Sequence, residues 1–453
     1  MKIVIIGSGK VGSKISQQLA VEGHDVVVID NDPIKINELS NNQDVMCIEG
    51  NAVSFDVQQQ AGVPDADLVI ACTDSDEINM ISCLLAKKHG AQRTIARVRN
   101  PEYYDQLPFI KEEMGLSMSI NPEMMAADMI SRVLLFPAAN SVESFAGGNV
   151  ELMEFVLSKN NPLVGMSLLD INSTFKVKVL IVAIKRGEEV IIPTGEDVLQ
   201  PDDHIFVASS HEEIQSLVKD IDLFRSKISS VIIVGGSRIS YYLAKRLIGH
   251  GMTVKIIEND YDKCVRMSQL LPNAMVIHAN GSDENVLNEE GIGNADAFVA
   301  MTGLDEVNII MSIYAKKRGV PKVITKVTQI TFYRTLENLG LDTIVSPKSL
   351  TADQILHYVR AMNESSGSDT VESLLRFVDE RLEAAEFIIN NNAKYVGVPL
   401  KDLKMKKGFL VASIVRGKRI IIPGGNDMLQ LGDTVVIVTD KHPLLKLESV
   451  FED

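Results

Sequence analysis

Long apolar runs are missing from this sequence. None approaches the ~20 residues that a membrane helix requires, so no segment is expected to span a bilayer. Cysteine is scarce: Cys47, Cys72, Cys83 and Cys264 form no C-x-x-C pair and no paired spacing, which argues against a zinc site and a disulfide framework. Cys72, inside the apolar run "DLVIAC", is expected to be a reduced core thiol. Positive charge is in deficit, with 45 Lys and Arg against 60 Asp and Glu and a formal net charge of −15. That balance disfavours nonspecific attraction to nucleic acid or an anionic bilayer. The short basic cluster "KMKKG" after Leu403 reads as a solvated edge. The opening "MKIVIIG" carries one lysine and an apolar run too short for a secretory core, so a cytoplasmic location is expected.

Catalytic signatures are lacking as well. There is no H-E-x-x-H, no nucleophile elbow and no Walker A lysine motif. Hydride transfer needs an acid or base held against the carbonyl, whereas His24, His89, His250 and His278 lie near predicted turns or helix ends without a partner signature. The chain is therefore expected not to be an enzyme, and no catalytic or metal-binding residue is assigned.

What is present is an ordinary globular composition, 45% hydrophobic and 23% charged, over 453 residues, enough for about three or four domains. The chain repeats itself. Gly7, Gly23 and Asp30 recur 228 positions later as Gly235, Gly251 and Glu258. "TDSDEIN" from Thr73 meets "TGLDEVN" from Thr302, Arg97 meets Lys326, and Pro122 meets Pro347. The tails repeat too: "EFVLSKNNPLVGMSL" from Glu154 matches "EFIINNNAKYVGVPL" from Glu386, and "RGEEVIIPTGEDVLQPDD" matches "RGKRIIIPGGNDMLQLGD". A period this long indicates tandem duplication of a two-part unit rather than a solenoid.

Each copy opens with an apolar run ("IVIIG", "VIIVG"), a glycine turn, an amphipathic stretch and a second apolar run ending in acid ("VVVID", "VKIIE"). Such alternation indicates βαβ units and a parallel sheet. The later runs "ADLVIACT" and "ADAFVAMT" supply a further strand in each copy. After Pro122 and Pro347 the pattern turns helical and then breaks at "NSVESFAGGN" and "NESSGSDTVES", which are expected to be linkers. Short β-branched runs beyond them suggest a small α+β or β-rich lobe that suits pairing between chains. The fold expected is α/β, a tandem duplication of a Rossmann-like parallel-sheet lobe followed by a small α+β C-lobe, with boundaries 1–135, 145–225, 229–360 and 370–453.

The first glycine loop reads Gly7-Ser8-Gly9-Lys10-Val11-Gly12, a G-x-G-x-x-G between a predicted strand and a predicted helix. Gly7 permits the tight turn, Gly9 lets the backbone approach a pyrophosphate, Gly12 lets helix and strand pack, and the helix N-terminus offers free N–H groups. Asp30, at the end of the next strand, is placed to accept from ribose hydroxyls, which favours NAD or an adenine nucleotide over NADP. The second loop reads Gly235-Gly236-Ser237-Arg238-Ile239-Ser240, where Ser237 is expected to intrude on a pyrophosphate. The second copy is therefore expected to bind more weakly or to take a different ligand. Arg238 stands in the place of Lys10, a cation beside the loop in both copies. Thr73 and Asp74 fall at the carboxyl edge of the sheet, with Asp74 and Glu77 also readable as a capping box. Arg97 ends a further apolar stretch and is readable as a contact to phosphate or adenine or as the partner of a surface acid.

Together, "MKIVIIGSGKVGSKISQQL", Asp30, "EGNA" at Glu49, "TDSDEIN" and "ARVR" resemble the KTN or RCK nucleotide-binding domain. The doubled arrangement resembles the regulatory subunit of Trk-type potassium uptake systems. The resemblance implies a cytosolic, peripheral subunit that binds NAD(H) or ATP/ADP, forms a homo-oligomeric ring as dimer or tetramer, and gates an integral-membrane potassium transport subunit at the inner face of the membrane. By motif match it implies nucleotide contact at Gly7, Ser8, Gly9, Lys10, Val11, Asp30, Asn51, Thr73, Asp74 and Arg97. The same match extends to Gly235, Gly236, Ser237, Arg238, Ile239, Glu258, Thr302, Gly303 and Lys326. Two rivals remain, an NAD-dependent oxidoreductase and a nucleotide-sensing regulator of another transporter.

Overall fold

The computed structural model describes residues 1–221, 227–328, 336, 339–341, 343–363, 370–378, 381–441, 444 and 446–452. Among the described residues, twenty-two strands fall into four sheets. The first sheet takes β1 (Lys2–Ile6), β2 (Asp25–Asp30), β3 (Met46–Glu49), β4 (Leu68–Ala71), β5 (Arg93–Arg97) and β6 (Met118–Ile120), in the order β3-β2-β1-β4-β5-β6 with every pairing parallel. Ile3, Val4, Ile5 and Ile6 are each fully buried, as expected for a strand covered by helices on both faces. The helix Lys10–Val21 follows β1 and buries Val11, Ile15 and Leu19, one residue per turn on a single stripe.

The second sheet is antiparallel: β7 (Ser141–Phe145), β8 (Val150–Val156), β9 (Leu180–Arg186), β10 (Glu189–Ile191) and β11 (His204–Ser209), in the order β10-β9-β11-β8-β7. Helices Leu168–Phe175 and His211–Asp220 complete this small α+β lobe.

The second copy repeats both sheets. β12 (Ser230–Val234), β13 (Thr253–Glu258), β14 (Met275–His278), β15 (Ala297–Ala300), β16 (Lys322–Lys326) and β17 (Thr343–Val345) are ordered β14-β13-β12-β15-β16-β17. Then come β18 (Thr370–Phe377), β19 (Leu382–Ile388), β20 (Phe409–Arg416), β21 (Arg419–Ile421) and β22 (Thr434–Thr439), ordered β18-β19-β22-β20-β21. Strand for strand, the two copies have the same order. The stripe of the first helix recurs as Ile239, Leu243 and Leu247, buried on helix Arg238–Gly249.

The chain divides into two compact units, and the division is not half by half. One unit holds Met1–Ser131 with Ser229–Leu356, and the other holds Arg132–Ile228 with His357–Asp453. Like lobes therefore pair with like. In the second unit, Phe145, Leu152 and Phe206 from the first copy share a core with Ala384, Ala412 and Val436 from the second. Phe206 and Phe377 meet edge to face at 5.2 Å, and the Ala146 N–H donates to Glu386 Oε2 at 2.9 Å. The apolar small-lobe faces assigned to pairing between chains are satisfied within one chain, because the duplication supplies both partners.

The linker expectation also changes. "NSVESFAGGN" is not a linker: Ser141–Phe145 pairs along β8, with Val142 and Phe145 buried, and Gly147 and Gly148 turn the hairpin at positive φ (+64° and +91°). Two of the three boundaries between units fall inside helices Pro122–Leu135 and Pro347–Asn363 instead, and the third lies at Ile228/Ser229, just before the strand Ser230–Val234. Of the second segment, residues 364–369 lie outside the described residues, and β18 begins within it at Thr370.

Candidate functional site

In each parallel sheet the strand order reverses between the first strand and its fourth-strand neighbour, and ligands of open α/β sheets lie outside the carboxyl ends of the strands at such a switch point. The loops there carry the candidate residues. Gly7 adopts φ +102° and donates its N–H to the Ile29 carbonyl at 2.8 Å. A Cβ on it would come within 2.9 Å of the Thr73 nitrogen. At Gly12 a Cβ would sit 1.9 Å from the Gly7 oxygen and 3.0 Å from Cys72 Sγ. At Gly9 it would meet nothing within 4 Å. Gly7 and Gly12 are thus required by packing, while the backbone beside Gly9 faces open space, as an approach to phosphate demands.

Asp30 ends β2 under this loop. Its Oδ2 accepts from the Ser8 N–H at 2.6 Å and the Ser8 hydroxyl at 2.7 Å, and its Oδ1 accepts from the Asp32 N–H at 3.0 Å. Burial pushes the carboxyl upward, but these bonds from Ser8 and Asp32, with Lys35 nearby, together hold it below its usual range. The Cys72 thiol, buried beneath the loop, is pushed up to about 12 by burial and is an inert core group.

Opposite the glycine loop, β4 runs into Thr73 and Asp74. Asn79, fully buried on helix Asp76–His89, orders this turn. Its Oδ1 accepts from the Thr73 N–H (2.8 Å) and hydroxyl (2.7 Å), and its Nδ2 donates to the Arg97 carbonyl at 2.9 Å. The helix cap is Ser75, whose hydroxyl accepts from the Ile78 N–H at 3.2 Å, so the Asp74–Glu77 capping box is corrected to a Ser75 cap. Asp74 is left with a side chain 96% exposed. Arg97 Nη2 donates to the Thr73 carbonyl at 2.6 Å and to Asp74 Oδ1 at 3.3 Å, which is the acid-pairing alternative read for it.

The resulting cavity, about 400 Å³, is lined by Gly7, Gly9, Asp30, Asn51, Thr73 and Asp74, all named from the sequence. Ser8, Lys10, Val11 and Arg97 do not line it. Ser8 is spent on Asp30, Val11 packs inward and Arg97 braces the loop from behind. Sequence reasoning missed Lys35 and Ile78, which do line it. It also missed the role of Asn79, although the final Asn of "TDSDEIN" and "TGLDEVN" was a visible signal.

The second copy rebuilds this arrangement around its serines. Gly235 takes φ +106°, and Glu258 accepts from the Gly236 N–H at 2.5 Å and the Asp260 N–H at 2.8 Å. Ser237 caps helix Arg238–Gly249 in a reciprocal capping box with Ser240, its hydroxyl accepting from the Ser240 N–H at 3.3 Å. The Ser240 hydroxyl bonds the Gly235 carbonyl. The hydroxyl expected to intrude is engaged by the helix. Asn308 holds Thr302 and the Lys326 carbonyl as Asn79 holds Thr73 and Arg97, and Lys326 Nζ donates to the Thr302 carbonyl at 2.6 Å. Burial lowers the Lys326 pKa, with Asp305 opposing.

This second cavity measures about 870 Å³ and is lined by Gly235, Gly236, Ser237, Arg238, Glu258, Thr302, Gly303 and Lys326; Ile239 is packed inward. Lys263, Arg266 and Tyr241 join them, as do Asn100, Pro101 and Glu102 from the first lobe, none of which the sequence had pointed to.

Residues 3–122 and 231–347 match the TrkA-N domain, and residues 152–222 and 384–452 match the TrkA-C domain. The chain is 32% identical over 460 residues to the Trk system potassium uptake protein TrkA homolog 2 of Methanosarcina mazei, covering 100% of both. It is 33% identical over 458 residues to the Trk system potassium uptake protein TrkA of Halomonas elongata, covering 100% of this chain and 99% of that one. In structure it is similar to the GsuK channel bound to NAD, with a TM-score of 0.64 and 17% identity over 96% of this chain and 76% of that chain, a likeness of fold. With two TrkA-N and two TrkA-C domains in alternation and these relatives along its length, the chain belongs to the TrkA family of Trk-system potassium uptake proteins.

Proposed function

We propose that this chain is the cytoplasmic, nucleotide-binding regulatory subunit of a potassium uptake system, docked as a homo-oligomer on the inner face of an integral-membrane transport protein and acting without catalysis. The observation that carries this reading is the recurrence, at both strand-order reversals, of a positive-φ glycine turn over a carboxylate at the end of the neighbouring strand. The names of the relatives supply potassium uptake, and NAD in the similar channel supports an adenine nucleotide as ligand. A ligand acts on the transporter only through its differential affinity for two shapes of the oligomer.

The two sites differ in charge. Asp30 and Asp74 outweigh Lys35 around the first cavity, whereas Arg238, Lys263, Arg266 and Lys326 outweigh Glu102 and Glu258 around the larger second one. NAD(H) suits the first, and the additional phosphate charge of ADP or ATP suits the second.

Growth tests the reading. A strain lacking this protein and other potassium importers should need more external potassium, and the native gene should restore uptake while one carrying Gly9→Asp restores less. Normal uptake in the deletion strain would count against a potassium role. Consumption of NADH with a carbonyl substrate, abolished by a change at Thr73 or Arg97, would favour the oxidoreductase.

A further inference from the structure

The segment that leaves β5 belongs to both sites. On the first-site side, the Arg99 and Asn100 N–H groups donate to Asp76 Oδ2 at 2.8 and 2.7 Å, and Arg99 Nε donates to Asp76 Oδ1 at 3.2 Å. The Arg99 guanidinium also bonds the Asp74 carbonyl, next to Arg97 on the Thr73 carbonyl. Residues 97–100 therefore grip the turn, Thr73 to Asp76, whose front lines the first cavity. On the other side, Asn100, Pro101 and Glu102 form part of the wall of the second cavity.

Tyr242 fixes this segment to the second lobe. It lies on the helix that begins at the second glycine loop, is 6% exposed, donates its hydroxyl to the Arg99 carbonyl at 3.2 Å and accepts from Asn121 Nδ2 at 2.9 Å. Burial pushes its phenol up to about 12, so it stays a neutral donor at physiological pH. Arg246, one turn further along the same helix, pairs with Asp128 of the first lobe.

We propose that the second cavity is a composite site, completed by Asn100–Glu102 of the first lobe, and that through this segment the two sites of one chain are coupled, with Tyr242 as the positioning residue. This rests on the nucleotide reading above. A ligand that draws Thr73–Asp74 toward the first glycine loop pulls on Arg97 and Arg99, and the wall of the second cavity and the start of its helix move with them. By reciprocity, a ligand in the second cavity changes the affinity of the first.

The chain has no tryptophan, so a single one introduced at Leu270 (second cavity) or Ile78 (first cavity) reports one site in the full-length protein. With NAD held at a concentration that saturates the first site, ADP is titrated against the Leu270→Trp reporter, alone and combined with Gly9→Asp, which places a carboxylate in open space at the first loop and empties that site without disturbing the fold. Coupling within the usual range predicts that the ADP midpoint at Leu270→Trp differs by at least about fivefold between the two backgrounds. Adding Tyr242→Phe to both should bring that ratio toward one. The Ile78→Trp reporter should lose its response in the Gly9→Asp background. Equal midpoints with both reporters responding in the native background, or a ratio untouched by Tyr242→Phe, would overturn the coupling and leave the nucleotide reading standing. No binding heat with ADP or NAD in the native chain would remove both.

Discussion

Gly12 and Ser240 occupy matching positions and meet opposite constraints. A methyl group at Gly12 would overlap the Gly7 carbonyl oxygen, whereas Ser240 turns the same closeness into a hydrogen bond to Gly235. Gly12→Ala should destabilise the first lobe by about 2–4 kcal/mol, while Ser240→Ala, losing the bond to Gly235 and its half of the capping box, should cost about 1–2 kcal/mol; differential scanning calorimetry separates them. Asp30 yields a prediction in pH. Its carboxyl lies lower in the folded chain than in the unfolded one, so its stabilisation is present at neutral pH and is lost as pH falls from about 4 through the lowered value. Asp30→Asn should therefore melt earlier than the native chain above pH 5, with the gap closing in acid. The same substitution should weaken NAD binding at the first site about tenfold, because it removes a charged acceptor that orders Ser8. Glycines and acids were legible in the sequence because each follows from a rule of local geometry. Lys35 at the cavity and the bond from Arg97 to the Thr73 carbonyl were not, since a long cation's direction is decided by its neighbours and not by its spacing.

Among the elements, the clearest lesson is the hairpin at Ser141–Phe145. Its Ser, Asn and Gly content reads as a linker, and its two apolar residues, Val142 and Phe145, do not share a strand phase, yet both are buried in an edge strand once β8 is available to pair with. Element type was legible where a run was long and apolar, as in β1 and β12, and was lost where tertiary pairing overrode composition. The small lobes show a repeated device of another kind. Arg186 grips Asp203 through Nε and Nη2, both at 2.8 Å, and reaches the Val198 carbonyl with the latter; Arg416 does the same to Asp433 and Met428. Both aspartates are fully buried and also accept from the Gln200 and Gln430 N–H groups. The matched "RG…DD" and "RG…GD" termini had marked these residues as equivalent without showing that they touch. Arg186→Ala strands a buried carboxylate and should cost about 3–5 kcal/mol, read as a lowered melting temperature of the unit that holds the small lobes.

For the molecule as a whole, the sequence displayed two copies end to end, and the contacts arrange them as like with like. Periodicity alone does not contain that information, because a core shared by Leu152 and Ala384 is a property of two distant segments at once. A half such as 1–228 expressed alone exposes the face that carries Phe145, Leu152 and Phe206, and should either self-associate or melt at a temperature rising more steeply with concentration than that of the intact chain. Sedimentation and melting over a hundredfold range of concentration would show it.

The pairing of first-copy lobes with second-copy lobes has a further consequence. Two separately encoded lobes would meet at cellular concentrations and would need a tight, inflexible interface to stay together, with matched synthesis to avoid orphans. Joined in one chain, they meet at an effective concentration in the millimolar range, and the ratio between them is fixed at one to one by translation itself. The surface between the two sensing lobes is thereby released from the demand for affinity. It can be built from a few buried hydrogen bonds, such as those of Tyr242 with Asn121 and the Arg99 carbonyl, that are weak enough to rearrange.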